Sequence, residues 1–349
     1  MYKAQFRKYI LKFKNPSGTS RGILLNKTSW FIKISSIINP SIYGIGECGP
    51  IKGLSIDNPK NIEAKLNEVI NSINHLKDVD LEDFPSINFG IEMAFKNLEY
   101  SDEMQFFEND FSKGKSSIHI NGLIWMGNKE EMISQVKNKI DLGFRCLKLK
   151  IGAISFLEEI EILKKIRKEF NSNILELRVD ANGAFSSKNA MDILNELYKY
   201  EIHSIEQPIK AGQINEMKTL CEESPVDIAL DEELIGLKKY GDKESLIKTI
   251  KPKYIILKPS LLGGFKKTNE WINLAKKHKI KWWITSALES NIGLNAIAQY
   301  TAEFKNSLPQ GLGTGQIYSN NIPSYLELKG EKLKINKNKN WDFDKIGFN

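Results

Sequence analysis

Five ionisable residues recur along the middle of the chain at the spacing of one strand–helix unit. Lys150, Asp180, Glu206, Asp231 and Lys258 stand 30, 26, 25 and 27 residues apart. Each closes a short apolar run: "CLKLK", "LELRVD", "HSIE", "DIALD" and "YIILK". Between the runs lie stretches with helical apolar spacing, such as 154 to 170 and 264 to 279. Strand followed by helix, repeated, means parallel strands joined by right-handed crossovers. With "SIHINGLIWM" before them and "WWITSAL" and "LPQGLGTG" after them, the chain holds about eight such strands, which suits a closed barrel. An open doubly wound sheet is the alternative, but no Gly-rich phosphate loop follows the first strand. In a barrel the five residues share the C-terminal rim, where active sites of that architecture are built.

The rim places three acids in the middle, with lysines on both sides. Neighbouring carboxylates repel unless a cation joins them. Asp180, Glu206 and Asp231 offer hard oxygen ligands suited to Mg²⁺, with Mn²⁺ as the alternative ion. Lys148 and Lys150 are two apart on one strand and point the same way, toward that centre. Lys258 faces them from across it. A nearby metal ion disfavours an ammonium, so a lowered lysine pKa and a role as base are expected. Bound to a substrate carboxylate, such an ion acidifies the adjacent C–H. Each part alone has a plainer reading: "DANG" or "EQP" as a turn, a strand-end acid as the N-cap of the next helix, "LKPS" as a turn proline. The order and the rhythm together favour the site.

Residues 1 to about 55 read as strands with turns, followed by helices at 61 to 75 and 86 to 98, an α+β module. The last thirty residues alternate again and are expected to form a hairpin that packs back on that module. The N-terminus lacks the apolar region of a signal peptide, and no apolar run approaches a membrane span. Cys48, Cys146 and Cys221 lie in no metal-ligand pattern and read as reduced core residues, which suits the cytoplasm. The net charge of +7 rests on 50 basic residues, of which five scattered ones are arginine. That argues against nucleic acid as a partner. His75, His119, His203 and His278 avoid the strand ends and read as structural.

The motifs "KLK" at 148 to 150, "DANG" at 180 to 183, "EQP" at 206 to 208, "DE" at 231 to 232 and "KP" at 258 to 259 resemble the enolase superfamily, in its muconate-lactonizing branch. The resemblance covers essentially the whole chain. It implies an α/β fold: a modified (β/α)7β TIM-like barrel over 113–319, with an N-terminal α+β capping domain over 1–110 on which 320–349 packs back. It implies Mg²⁺ on Asp180, Glu206 and Asp231, Lys150 as the base and acid, Lys258 as an electrostatic partner, and a small-molecule carboxylate substrate. A homo-oligomer is among the assemblies known in the branch. "INGLIWMG", "ITSALES", "GLGTG", "TSRG" and "GIGECGPIKGLS" resemble the o-succinylbenzoate synthase group within it. That group dehydrates 2-succinyl-6-hydroxy-2,4-cyclohexadiene-1-carboxylate through an enediolate in menaquinone biosynthesis. The alternative is a dipeptide epimerase or N-acylamino acid racemase of the same superfamily. Dipeptide epimerases carry an Asp-x-Asp pattern on the eighth strand, where this chain has "GLGTG". Further substrate contacts are expected from Lys148, Asn182, Ser286, Ser290, Gly311, Gly313 and Thr314. Residues 17 to 22 are expected as a lid, with Arg21 either in it or in a cap-to-barrel salt bridge.

Overall fold

The computed structural model describes residues 1–19, 22–100 and 104–348. The chain opens with an antiparallel sheet of β1 (Tyr2–Thr19), β2 (Gly22–Ser36) and β3 (Tyr43–Cys48). On β2 the alternation of "WFIKI" divides two cores. Trp30, Ile32 and Ile34 pack with Ile62, Leu66 and Val69 of the helix Ile62–Asn71. Phe31 faces the other way and joins the barrel core. The helix Pro85–Leu98 lies directly on β3. At Gly44 and Gly46 a Cβ would run into the carbonyl oxygens of Ala94 and Gly90, so only glycine permits that approach.

The expected strand 117–126 is split. β4 (Ile118–His119) pairs with a C-terminal strand at Lys332–Ile335, and β5 (Gly122–Ile124) opens the barrel. Between them Asn121 N–H donates to the Gln310 carbonyl, which hands the chain from one sheet to the next. The barrel continues with β6 (Cys146–Lys150), β7 (Glu176–Asp180), β8 (Ser204–Glu206), β9 (Ile228–Leu230), β10 (Tyr254–Leu257) and β11 (Lys281–Ile284). These seven strands form one sheet in sequence order with every neighbour parallel. The eighth position is a pair of isolated bridges, Ile120 to Gln310 and Thr285 to Gly311. Gln310 N–H bonds the His119 carbonyl and Gly311 N–H bonds the Ile284 carbonyl, so residues 310–311 close the ring.

Helices follow the strands, and two carry complete capping boxes. Asn128 with Glu131 opens the helix Lys129–Asp141, and Ser155 with Glu158 opens Phe156–Glu169. The C-terminal hairpin is β12 (Leu326–Lys329) and β13 (Lys332–Ile335). Its backbone bonds go to β4 rather than to the N-terminal sheet. That sheet is touched by flanking residues: Asn320 bonds the backbone of Ile10 and Lys12, and the Gly347 carbonyl accepts from Arg7. No helix among the described residues is long and apolar enough to cross a membrane.

Candidate active site

Parallel register sets the site. Lys150 on β6 lies level with Asp180 on β7, and Asp180 with Glu206 on β8. Asp231 directly follows β9, and Lys258 directly follows β10. All five expected rim residues therefore end consecutive strands. Lys148, one strand face below Lys150, donates to Asp180 Oδ2 at 2.9 Å and Glu206 Oε2 at 2.6 Å. Lys150 donates to Asp180 Oδ2 at 2.8 Å and Asn182 Oδ1 at 2.6 Å. Lys258 donates to Asp231 Oδ2 and stands 3.5 Å from Glu206 Oε1.

Asn182 has φ +45°, a left-handed conformation that asparagine tolerates. The turn lets its backbone N–H reach Asp180 Oδ1 at 3.1 Å, while its side chain bridges Lys150 to Glu232. Gln207, after Glu206, is also left-handed, and its amide oxygen accepts from the backbone of Asp231 and Glu233. The turns that follow two of the acids thus orient their neighbours.

Burial alone would raise Asp180, but Lys148, Lys150 and Lys258 outweigh it and hold its carboxyl well below the carboxylate range. Burial pushes Asp231 up, with Glu232 and Glu206 adding to the rise against the pull of Lys258. Lys258 and Lys148 behave opposite to the expected depression. Burial would depress Lys258, but Asp231, Glu206, Glu232 and Asp180 together raise it above the usual lysine range. Lys148 is raised likewise by Asp180 and Glu206 against its own burial. The expected depression presupposes a bound cation; where Lys148 and Lys258 face carboxylates directly, their ammonium form gains.

Among the described residues no three His, Cys, Asp or Glu side chains converge on one point as a ready cluster. The acids turn to the lysines instead. Their chemistry nevertheless fits a hard divalent cation: three carboxylates end adjacent strands, and Glu206 Oε1 is buried without a hydrogen-bond partner.

Above this centre opens a cavity of about 870 Å³, including the space at its mouth. The barrel supplies Lys148, Lys150, Asn182, Lys258, Ser286, Gly311, Gly313 and Thr314 to its wall, all expected from the sequence. Ser286 Oγ and Thr314 Oγ1 are 2.7 Å apart. Ser290 is placed elsewhere; it caps the helix Asn291–Thr301 and its hydroxyl donates to Glu47. Arg21 and the tip of the expected lid lie outside the described residues. The reading missed Leu24, Ile51, Lys52 and Leu54 from the N-terminal module, and Asn121, Leu123 and Trp125 from the barrel entry. Only Asn121 carried a usable signal, a polar residue between apolar strand ends. It is buried, and its Oδ1 has no hydrogen-bond partner.

Residues 131–335 match the family model described as "Enolase C-terminal domain-like". The chain is 42% identical to an o-succinylbenzoate synthase of Desulfotalea psychrophila, over 95% of this chain and 98% of that protein. The crystal structure of MenC from Desulfotalea psychrophila LSv54 superposes with a TM-score of 0.85 at 39% identity, covering 96% of this chain and 99% of that one. A dipeptide epimerase from Enterococcus faecalis V583, solved with Mg and the dipeptide L-Leu-L-Tyr, shares the fold at a TM-score of 0.81 and 19% identity, over 96% of each chain. The family model spans more than half of the chain and the Desulfotalea relative nearly all of it, so the chain is an enzyme of the enolase superfamily.

Proposed function

We propose that the chain is an o-succinylbenzoate synthase of menaquinone biosynthesis, a carbon–oxygen lyase dehydrating 2-succinyl-6-hydroxy-2,4-cyclohexadiene-1-carboxylate to 2-succinylbenzoate. The observation that carries this reading is the charge of the cavity wall. Four of its residues are lysines, Lys52, Lys148, Lys150 and Lys258, and none of the described wall residues is an acid. A substrate ammonium, as in a dipeptide, would find no counter-ion there. A substrate with two carboxylates suits the wall, and the 42% identical relative bears the synthase name.

Asp180, Glu206 and Asp231 would hold Mg²⁺, or Mn²⁺ in its place. Held there, the ion would supply Lewis-acid stabilisation of the negative charge that develops beside the ring carboxylate. Lys150 takes the α-proton as the C–H bond breaks. The C–O bond to the hydroxyl then breaks, Lys150 returns the proton to the departing hydroxide, and the ring becomes aromatic with loss of water. Lys258 stabilises the developing charge from the opposite wall. Lys148 holds Asp180 and Glu206 in place, and Asn182 orients Lys150. Ser286, Thr314 and the glycines Gly311 and Gly313 line the end of the cavity that takes the succinyl chain. Free cysteines and the small-molecule substrate suit a cytoplasmic enzyme.

A second reading, racemisation of an N-acylamino acid, is favoured by one observation: Lys150 and Lys258 both line the cavity, from different strands. The deciding experiment mixes purified protein with the cyclohexadiene carboxylate and Mg²⁺, with and without EDTA, and follows the ultraviolet change of aromatisation. Rapid turnover abolished by EDTA is expected. No turnover, with α-proton exchange on N-succinyl amino acids in deuterated water, would replace the synthase by the racemase.

A further inference from the structure

The cavity is walled by two bodies. Ile51, Lys52 and Leu54 come from the N-terminal module, and Thr285 to Leu288 from the loop after β11. One buried carboxylate lies just behind both. Glu47, the penultimate residue of β3, is fully buried and reaches out of its own module. Its Oε1 accepts from Ser29 Oγ at 2.7 Å and from Ser290 N–H at 3.0 Å. Its Oε2 accepts from Ser290 Oγ at 2.6 Å, Ser290 N–H at 3.0 Å and Gly293 N–H at 3.0 Å. The Lys27 ammonium is 3.9 Å away. Glu47 thus caps the barrel helix Asn291–Thr301 from another part of the fold, where a carboxylate meets free N–H groups and the positive end of the helix dipole.

Two glycines make room for it. A Cβ at Gly293 would run into Glu289 Cβ and Cγ and stand 2.9 Å from Glu47 Oε2, and one at Gly49 would stand 3.3 Å from Glu47 Oε1 and run into Lys27 Nζ. Gly49 begins the loop that carries Ile51 to Leu54. On the barrel side, Glu289 accepts from Ala287 N–H at 2.6 Å and from Ser260 Oγ at 2.5 Å, holding the wall segment next to Ser290.

The module repeats the device away from the cavity. Glu92, on the helix Pro85–Leu98, accepts from Phe265 N–H at 2.5 Å and so caps the helix Phe265–Lys277. There too a glycine yields: a Cβ at Gly264 would run into Glu92 Oε2. Neither backbone partner of Glu92, Phe265 or Lys266, lines the cavity.

We infer that Glu47 is a positioning residue for substrate binding: it sets the gap between the 50–54 loop and the 285–288 segment, whereas Glu92 only docks the module. Each fastens the module to one barrel helix, but Glu47 alone is flanked on both sides, within a few residues, by cavity wall. The carboxylate touches no reacting atom and acts through the two segments it joins.

The experiment compares Glu47→Gln, Glu92→Gln and Gly293→Ala by steady-state kinetics on the cyclohexadiene carboxylate and by amide hydrogen exchange on the full-length protein. Gln keeps the size of Glu but loses the charge and one of the two acceptor oxygens. Glu47→Gln is expected to raise KM by about tenfold with kcat within about twofold, and to speed exchange in 50–54 and 286–293. Glu92→Gln is expected to speed exchange at 265–268 and leave KM unchanged. Gly293→Ala, which improves intrinsic helix propensity, is expected to raise KM by crowding Glu289 and Glu47 together. Equal KM changes in the two glutamate variants, or exchange that rises uniformly over the chain in Glu47→Gln, would overturn the inference. Should Glu47→Gln not fold, Ser290→Ala, which removes one hydroxyl donor from Glu47, is compared with Glu92→Gln instead. Absence of turnover in the wild type would count against the proposed function, and the exchange pattern would still decide the role of Glu47.

Discussion

The barrel buries charge at both ends, and the two ends use it differently. At the N-terminal end Arg178 is 1% exposed, pairs with Glu176 at 2.7 Å, donates to the Pro309 carbonyl at 2.9 Å and lies 4.2 Å over the Trp283 ring. Cys146, His203 and Tyr254 close around it. At the C-terminal rim, two residues further along the same strand, Asp180 joins Glu206 and Asp231 with three lysines beneath an open cavity. Each end leaves one buried polar atom without a hydrogen-bond partner, Arg178 Nη2 and Glu206 Oε1, but Arg178 has a single acid beside it and an aromatic plate, whereas the rim crowds like charges together. Burial of charge therefore does not mark a site by itself. Like charges gathered at a cavity point to one, because groups that repel each other beside open space are where ligands and perturbed pKa values concur.

The sharpest way to break this contrast is Lys150→Ala. If the rim is catalytic, kcat of the folded fraction falls by roughly 10³-fold or more, the scale of losing a positioned base, with Lys148 still pairing Asp180. Retained turnover would reduce the rim to a structural ion cluster like the one at the other end. Glu206→Gln comes next. It keeps shape and loses charge at the centre of the acid row, so the Mg²⁺ concentration for half-activation is expected to rise by about 10- to 100-fold. Titration calorimetry with Mg²⁺ alone checks this without relying on turnover. Arg178→Met inverts the pattern: roughly 3 kcal/mol of stability lost in urea unfolding, on the scale of breaking a buried ion pair, with kcat kept in the folded fraction. A fall in kcat without loss of stability would show that the two ends are coupled.

The same contrast explains what could be read from the sequence. The rim was legible because a strand ends in one residue, and one strand–helix unit has a nearly fixed length; Lys150 to Lys258 follow from that rhythm. The eighth strand was legible as a segment and not as a strand, since Gln310 and Gly311 close the ring through single bridges and need no apolar run. The split of the first strand at Asn121 was hidden because both halves are apolar and each pairs in a different sheet. Leu24, Ile51, Leu54 and Trp125 were illegible as wall residues. An apolar side chain carries no chemistry, and its place over the cavity depends on how the N-terminal module docks. Glu47 stood in plain sight in "GIGECGP". Its partners Ser290 and Gly293 are 243 and 246 residues away, and no local pattern joins them.

Lys52 gives the smallest effect and the finest test of the contrast. It lies at the cavity mouth on the docked module, exposed to solvent, and its ammonium pairs with no acid among the described residues. A cation at an open rim steers and holds an anion weakly, because water screens it. Lys52→Gln is therefore expected to raise KM a few-fold, about 0.5–1 kcal/mol on the scale of exposed ion pairs, with kcat and Mg²⁺ affinity unchanged. Raising the salt concentration should shrink the difference between wild type and variant, since salt already removes what Lys52 supplies. The buried rim lysines should not show that convergence. If the Lys52→Gln defect were salt-independent, the lysine would be acting by packing against the wall, and the mouth would belong with the Arg178 end, where charge serves the fold.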